Sequence, residues 1–293
     1  MRAYTTAHCS LELPEHHPFP RYKYRAVAEA LAQDFDLVPA PPASWEALGR
    51  VHAPEYLRKL QDEGLSRPEY LRLGLPWSPS LLERALCSTG GTLEATRDAL
   101  KEGLGLNLSG GTHHAYPDHA EGYCLFNDVA VAIAWLRDQG FGGRILVIDL
   151  DAHQGNGSAV CLKDDPNVYT LSIHAERNYP LKKEQSSFDL GLPDGTEDQA
   201  YLEALEQALD RGFAFRPELI FYNAGVDVLA GDRFGRLALS LEGVAERDRR
   251  VFARVRHAEL PLVVVMGGGY NRDPAKVVAA HSQTYRLAAQ SLV

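Results

Sequence analysis

An α/β fold built on a parallel sheet is predicted by three features of this sequence. Short apolar runs of strand length recur at Leu106–Leu108, Ile145–Leu150, Val168–Ile173, Leu219–Tyr222 and Leu262–Met266. Segments with helical spacing separate them, and strand–helix alternation implies parallel pairing. Several runs end in clusters of carboxylates, imidazoles or glycines, as expected at the carboxyl edge of an open α/β sheet, where ligands bind.

Ahead of the first run, residues 20–100 read mainly as helices around Tyr24–Gln33, Pro54–Asp62 and Ser80–Leu100, with Pro39-Ala-Pro-Pro42 as a loop. Val129–Leu136 is apolar enough for a buried helix. Tyr201–Leu209 carries apolar residues three and four apart, and Val244–Val255 is charged and amphipathic, so both read as helices packed on one side. Glu176–Pro193 has little periodicity and several prolines and charges, and reads as a long loop of the kind that is usually functional. The chain has no Gly/Ser-rich linker, low-complexity tract or fixed-period repeat, so residues 1–293 are expected to form one domain.

Bulk properties narrow the function classes. At 45% hydrophobic and 24% charged, the 293 residues have the composition of a globular protein with a sizeable core. A formal net charge of −9 and the lack of any Lys/Arg block argue against a nucleic-acid backbone or an anionic membrane as partner. Small molecules or exposed peptides fit better. Cys9, Cys87, Cys124 and Cys161 include no C-x-x-C pair, which indicates neither a zinc ribbon nor a disulfide framework. The first residues lack the apolar core of a signal peptide and no stretch is apolar enough to span a bilayer, so a cytoplasmic location is expected.

The chemistry concentrates in Ile145-Leu-Val-Ile-Asp-Leu-Asp-Ala-His-Gln-Gly-Asn-Gly157. Here a β-branched, apolar strand suited to burial on both faces empties into Asp149, Asp151 and His153. Residues two apart share a face of a strand, so these three could grip one ion, and isolated buried carboxylates are too costly to leave uncompensated. Four further clusters follow expected strands: Gly110-Gly-Thr-His-His114, Ser172-Ile-His174, Asn223-Ala-Gly-Val-Asp227 and Gly267-Gly-Gly-Tyr270. Asp227 could complete a site with Asp151 and His153: two carboxylates and an imidazole on a metal that keeps positions open for water and substrate, as catalytic sites do. Mixed oxygen and nitrogen donors favour zinc or another divalent first-row metal. A two-metal site would normally place another carboxylate two residues past His153, and Gly155 stands there, so one metal is favoured.

His113-His114 is the natural partner of an activated water, because neutral imidazole can take a proton and return it to a leaving group. Asp149 and Asn156 are candidate orienters of the two rings, and a carboxylate raises a histidine's pKa more than an amide does. Tyr270 could donate its hydroxyl to a developing oxyanion. Taken singly, the features also have plainer readings: His113-His114 as a loop pair, Asp227 as a helix cap, Gly267–Gly269 as a tight turn, and Ser172 and His174 as structural.

These clusters, with Gly122-Tyr-Cys-Leu-Phe-Asn-Asp128, resemble the arginase/deacetylase superfamily and, within it, the histone deacetylase family. Asp151-Ala-His-Gln-Gly-Asn-Gly157 and Tyr222-Asn-Ala-Gly-Val-Asp227 are most similar to its class IV branch. The order of matches extends to His17-Pro-Phe19, Val51-His52, Tyr179-Pro180 and Gly195-Thr-Glu-Asp198.

The resemblance implies a three-layer α/β/α fold around a mainly parallel, eight-stranded sheet. It implies zinc on Asp151, His153 and Asp227, His114 as principal general base and acid, His113 as electrostatic helper, and Tyr270 polarising the substrate carbonyl. Asp149 would pair with His113 and Asn156 with His114. A structural monovalent cation, potassium or sodium, would use Asp149, Ser172 and nearby carbonyls. Gly122, Tyr123, Thr112 and Tyr179 would shape the substrate tunnel. Thr112 replaces a large aromatic common in the family, which leaves the inner acyl pocket differently shaped, and Leu73-Gly-Leu-Pro-Trp77 contains no acidic residue to hold a substrate backbone. The implied reaction is removal of an acyl group from the ε-amine of acyl-lysine in a peptide or protein. The alternatives are deacetylation of acetylpolyamines or other small acylated amines, and a catalytically silent acyl- or metal-binding module.

Overall fold

The computed structural model describes residues 1–62 and 64–292. Eight strands form one sheet: β1 (Arg2–Thr5), β2 (Asp36–Pro39), β3 (Leu104–Asn107), β4 (Ile145–Asp149), β5 (Val168–Ala175), β6 (Phe188–Leu192), β7 (Leu219–Asn223) and β8 (Leu262–Val265). Their order across the sheet is β2-β1-β3-β8-β7-β4-β5-β6. Every pairing is parallel, so the sheet is wholly rather than mainly parallel. The helices are α1 (Lys23–Leu31), α2 (Trp45–Leu48), α3 (Pro54–Asp62), α4 (Arg67–Leu73), α5 (Pro79–Glu102), α6 (Asp128–Asp138), α7 (Asn156–Leu162), α8 (Asp198–Ala214), α9 (Leu241–His257) and α10 (Pro274–Leu292).

Alternation along the central strands builds the three layers. Leu146 and Ile148 of β4, Ile220 and Tyr222 of β7, and Leu262 and Val264 of β8 pack in one core with α1, α8, α9 and α10. Their neighbours Ile145, Val147, Leu219, Phe221, Val263 and Val265 face the opposite core with α2, α3, α5 and α6. Each central strand is apolar on both faces because each face meets helices.

The expected loop at Glu176–Pro193 is corrected: its last residues form β6. This edge strand is mostly half-buried, so the apolar signal of a central strand is missing. β1 lies ahead of the part read as helices, where no strand was expected, and β2 lies within that part. Each is four residues long, and β2 is an edge strand that ends on Pro39, inside the stretch read as a loop.

Two buried polar centres hold the site's loops. Arg247 on α9 is fully buried; Nη1 donates to the carbonyls of Gly225 at 2.6 Å and Leu150 at 3.3 Å, and Nε to Asp248 Oδ1 at 2.9 Å. The guanidinium therefore ties together the loops that carry Asp151 and Asp227. On the other side of the sheet, Asn127 caps α6 by accepting from the Ala130 N–H at 3.1 Å. Its own N–H donates to His52 Nε2 at 3.1 Å, and His52 Nδ1–H donates to the Tyr116 carbonyl at 3.1 Å. Next to the cap, Asp128 accepts the N–H groups of Gly111 at 3.1 Å and Thr112 at 2.8 Å, which fixes the loop leading to His113.

Removing Arg247 leaves Asp248 as an unpaired buried charge beside the Tyr222 and Thr284 hydroxyls. Arg247→Met is expected to cost about 3–5 kcal/mol in urea unfolding, and a loss below ~1 kcal/mol would contradict the role assigned to the guanidinium. Burial lowers His52 from 6.5 to about 4 against its carbonyl hydrogen bonds. The folded value is the lower one, so the unfolded chain binds the proton first. The stability that neutral His52 contributes is complete above pH 6.5 and is lost as pH falls towards about 4. Between pH ~7 and ~5, the wild type should lose about 2 kcal/mol more than His52→Gln. Parallel urea-unfolding pH profiles for the two proteins would refute this.

Candidate active site

The site forms at the carboxyl ends of four adjacent strands, β3, β8, β7 and β4. Loops after β3, β4 and β7 bring His113 and His114, Asp149 to Asn156, and Asn223 to Asp227; the loop after β8 brings Gly267 to Tyr270. Asp151, His153 and Asp227 meet, each with a donor atom within 4.8 Å of the others'. His153 Nδ1 lies 2.9 Å from Asp151 Oδ1 and 3.0 Å from Asp227 Oδ2. All three side chains are buried. The remaining carboxylate oxygens are held by backbone, Asp151 Oδ2 by the Gly268 N–H at 2.7 Å and Asp227 Oδ1 by the Ala152 N–H at 2.8 Å. A Cβ on Gly268 would stand 2.2 Å from Asp227 Oδ2, so the close backbone approach requires glycine there.

Two carboxylates this close, out of water, demand a positive centre between them. Burial lowers His153, yet Asp151 and Asp227 outweigh it and raise the imidazole to about 10. Burial and the charge of Asp151 push Asp227 up to about 7. The donor set fits one divalent first-row cation, with Asp151, His153 and Asp227 as its ligands. A Cβ on Gly155 would lie 2.3 Å from Asp149 Oδ2, so no carboxylate for a second ion has room there.

Asp149 stands apart from the triad. Its Oδ2 accepts from His113 Nδ1 at 2.7 Å, and its Oδ1 from Asn223 Nδ2 at 2.9 Å. His114 Nδ1–H donates to Asn156 Oδ1 at 2.5 Å, while Asn156 Nδ2 donates to Glu121 Oε1 at 3.0 Å and to the Tyr116 hydroxyl at 3.1 Å. Rings 4.1 Å apart thus have opposite environments. Burial lowers His113, but the charges of Asp149 and Asp151 prevail and raise it to about 9. Burial, then the charges of His113 and His153, hold His114 well below its ordinary value. The two environments favour a protonated His113 and a neutral His114.

Tyr270 is held through its backbone: its N–H donates to Asp232 Oδ2 at 2.7 Å. Burial and the charges of Asp151 and Asp227 keep its phenol protonated, hence a donor. Asp232 Oδ1 also accepts the N–H groups of Phe234 and Gly235, each at 2.9 Å, so one carboxylate positions two aromatic side chains of the site.

A cavity of about 270 Å³ leads in from the surface, lined by Gly122, Tyr123, Asn178, Tyr179, Phe234 and Tyr270, with His114 and His153 at its floor and Arg72 and Gly74 at its mouth. Tyr123 and Phe234 stand across the cavity with ring centroids 6.4 Å apart and planes tilted by 53°, a constriction that admits at most a slender alkyl stem. Tyr179 meets the His114 ring edge at 5.0 Å, and its hydroxyl donates to Glu121 at 2.5 Å. Gly122 takes φ +54, and a Cβ there would stand 2.5 Å from the His114 ring.

Thr112 does not line this tunnel. It borders a smaller inner chamber of about 40 Å³ shared with Tyr24, Arg84, Asp151 and Tyr270, and its hydroxyl donates to Asp128 at 2.6 Å. Ser172 sits opposite Asp149 in the β4–β5 register, with its hydroxyl hydrogen-bonded to His174 Nδ1 at 3.0 Å. Sequence reasoning missed Phe234, which lies eleven residues past the end of β7 in the loop to α9; the only local signal is the flanking Gly231 and Gly235. It also assigned nothing to Asp232, Asp128 or Glu121, whose work is to hold other groups.

Comparison with known proteins agrees with this geometry. A histone deacetylase domain model matches residues 17–285. An uncharacterized protein of Picosynechococcus is 39% identical, covering 94% of each chain. Histone deacetylase 2 of Arabidopsis thaliana is 34% identical over 90% of this chain and 72% of its own length. The crystal structure of a histone deacetylase homologue from Aquifex aeolicus superposes with a TM-score of 0.82 at 26% identity, covering 98% of this chain and 83% of that one. With the fold, the buried Asp–His–Asp cluster and these matches in accord, the chain belongs to the histone deacetylase family and is a hydrolytic deacetylase.

Proposed function

We propose that this deacetylase is zinc-dependent and cleaves the amide that joins an acyl group to the ε-amine of lysine. The observation that carries the reading is the pairing of His113 with Asp149 and of His114 with Asn156, with His114 at the floor of a narrow aromatic tunnel beside the Asp151–His153–Asp227 cluster. Bound by Asp151, His153 and Asp227, zinc would polarise the acyl carbonyl as a Lewis acid and draw the pKa of a water towards about 7.

The chain's own groups supply the rest. His114 Nε2 takes the proton of the attacking water and later returns it to the departing amine. Its Nδ1–H stays on Asn156, which fixes the tautomer this requires. His113, kept cationic by Asp149, stabilises the negative charge that develops as the carbonyl is attacked. The Tyr270 hydroxyl donates to the same oxygen. Tyr123, Phe234 and Tyr179 enclose the substrate's alkyl stem and exclude water, and Asp149 with Ser172 would hold a structural potassium or sodium ion beneath His113.

Arg72 at the mouth favours acyl-lysine over an acetylated polyamine, whose remaining ammonium groups it would repel. We place the chain nearest the class IV branch and treat residues 1–293 as one catalytic domain. Among the described residues no helix is long and apolar enough to cross a membrane; with the acidic balance of the chain, this supports a cytoplasmic enzyme that does not bind nucleic acid.

Tyr270→Phe is expected to keep its metal and lose about 10²–10³ in kcat on a fluorogenic acyl-lysine peptide; wild-type turnover would remove the phenol from the mechanism. Asp227→Ala should lose its zinc while staying folded. Stoichiometric zinc by elemental analysis in that variant would overturn the ligand assignment. In a panel of acyl-lysine peptides and acetylated polyamines, the peptides should have the higher kcat/KM, and the reverse order would favour the small-molecule reading.

A further inference from the structure

Scattered in sequence, Cys9 and Cys87 come together in the fold. Cys9 closes the turn after β1, its N–H donating to the Thr6 carbonyl at 3.0 Å, and Cys87 points out of α5 into the space beneath that turn. His8, the residue before Cys9, turns its imidazole towards the same point, with Nε2 3.4 Å from Cys9 Sγ. The two sulfurs and the imidazole nitrogen all lie within 4.8 Å of one another. Tetrahedral zinc with bonds of about 2.3 Å to sulfur and 2.0–2.1 Å to nitrogen has ligand–ligand edges of roughly 3.5–3.8 Å, so small side-chain rotations suffice to close the cluster.

We propose that His8, Cys9 and Cys87 form a second metal site that takes one thiophilic divalent cation, chemically distinct from the carboxylate-rich site on the sheet edge. Donor chemistry separates the two: two thiolates and an imidazole select a soft or borderline cation, whereas two carboxylates and an imidazole make a harder site. Burial is graded in the way an accessible site requires, with Cys87 buried, Cys9 half-buried and His8 exposed. An open cleft of about 560 Å³, bordered by Thr6, His8, Cys9 and Arg84, gives a cation its path and leaves a fourth position for water. Binding exchanges two thiol protons, released to solvent, for the cation, so the bound cluster is locally neutral. The cation ties the turn after β1 to α5. That tie lies beside Arg84, whose guanidinium stacks 3.9 Å over the Tyr24 ring, and both residues also border the inner chamber behind Tyr270.

The test uses the full chain, kept reduced with a phosphine, titrated with Co²⁺ and followed by thiolate-to-cobalt charge-transfer absorption, to which Asp151, His153 and Asp227 contribute nothing. The band should saturate within about two equivalents in the wild type, whose carboxylate-rich site also takes Co²⁺, and at about one in Asp227→Ala, and Zn²⁺ should displace it. Cys9→Ser and Cys87→Ser should each abolish it. His8→Ala, a change to an exposed side chain that leaves the core untouched, should weaken Co²⁺ binding about tenfold or more. Asp227→Ala should retain the band, which makes the outcome independent of the proposed catalytic metal. No band in the wild type, a band that survives both cysteine substitutions, or unchanged affinity in His8→Ala would overturn the three-donor site.

Discussion

Three carboxylates, Asp149, Asp151 and Asp227, are buried side by side at the ends of two adjacent strands, and the rest of the site answers that electrostatic demand. Uncompensated, such a cluster would cost more than the fold could supply. Compensation arrives in layers. Backbone N–H groups of Ala152 and Gly268 hold one oxygen each of Asp227 and Asp151, the His153 imidazole lies between those two residues, and His113 caps Asp149. Arg247, its charge balanced by Asp248, braces the loops from behind through the carbonyls of Leu150 and Gly225. A cation held by the triad would complete the balance that the protein groups begin.

The same demand explains how two adjacent histidines come to differ. His113 and His114 leave one loop in succession, but the strand order sets His113 against Asp149 of β4 and His114 against Asn156 at the start of α7. A carboxylate holds the first ring as a cation, and that cation, with burial, holds the second ring neutral. Burial acts on both rings, and only at His113 do neighbouring carboxylates reverse it. Proton transfer and electrostatic stabilisation need such a division at one pH.

The tunnel obeys a different logic. Its walls come from farther along the loops that follow strands: Tyr123 between β3 and α6, Tyr179 between β5 and β6, and Phe234 between β7 and α9. Each is pinned by a polar group that does no chemistry of its own. Tyr123 hangs by its N–H on the Leu73 carbonyl at 2.7 Å, Tyr179 by its hydroxyl on Glu121, and Phe234 by its N–H on Asp232. Substrate shape is therefore decided by loop anchors, and chemistry by strand ends.

Much of the sheet edge was legible in the sequence because it rests on local signals: apolar runs buried on both faces, each followed by residues too polar to be buried without purpose. Asp151, His153 and Asp227 could be grouped as candidate ligands before any coordinates, whereas the residues alone grouped Asp149 with them and only the family resemblance set it apart. The short strands β1 and β2 and the edge strand β6 left no comparable signal, since four or five residues carry little periodicity and those of β2 and β6 are mostly not buried. Phe234 and the meeting of His8, Cys9 and Cys87 were likewise beyond local reading, as was the placing of Thr112 on the inner chamber instead of the tunnel. Residue type and spacing by themselves determined which groups could do chemistry and on which edge of the sheet they stand. Which of them touch was decided only by the strand order β3-β8-β7-β4 and the loops packed above it, because contacts between residues 36 to 110 positions apart depend on how strands are ordered in space and not on any periodicity within them.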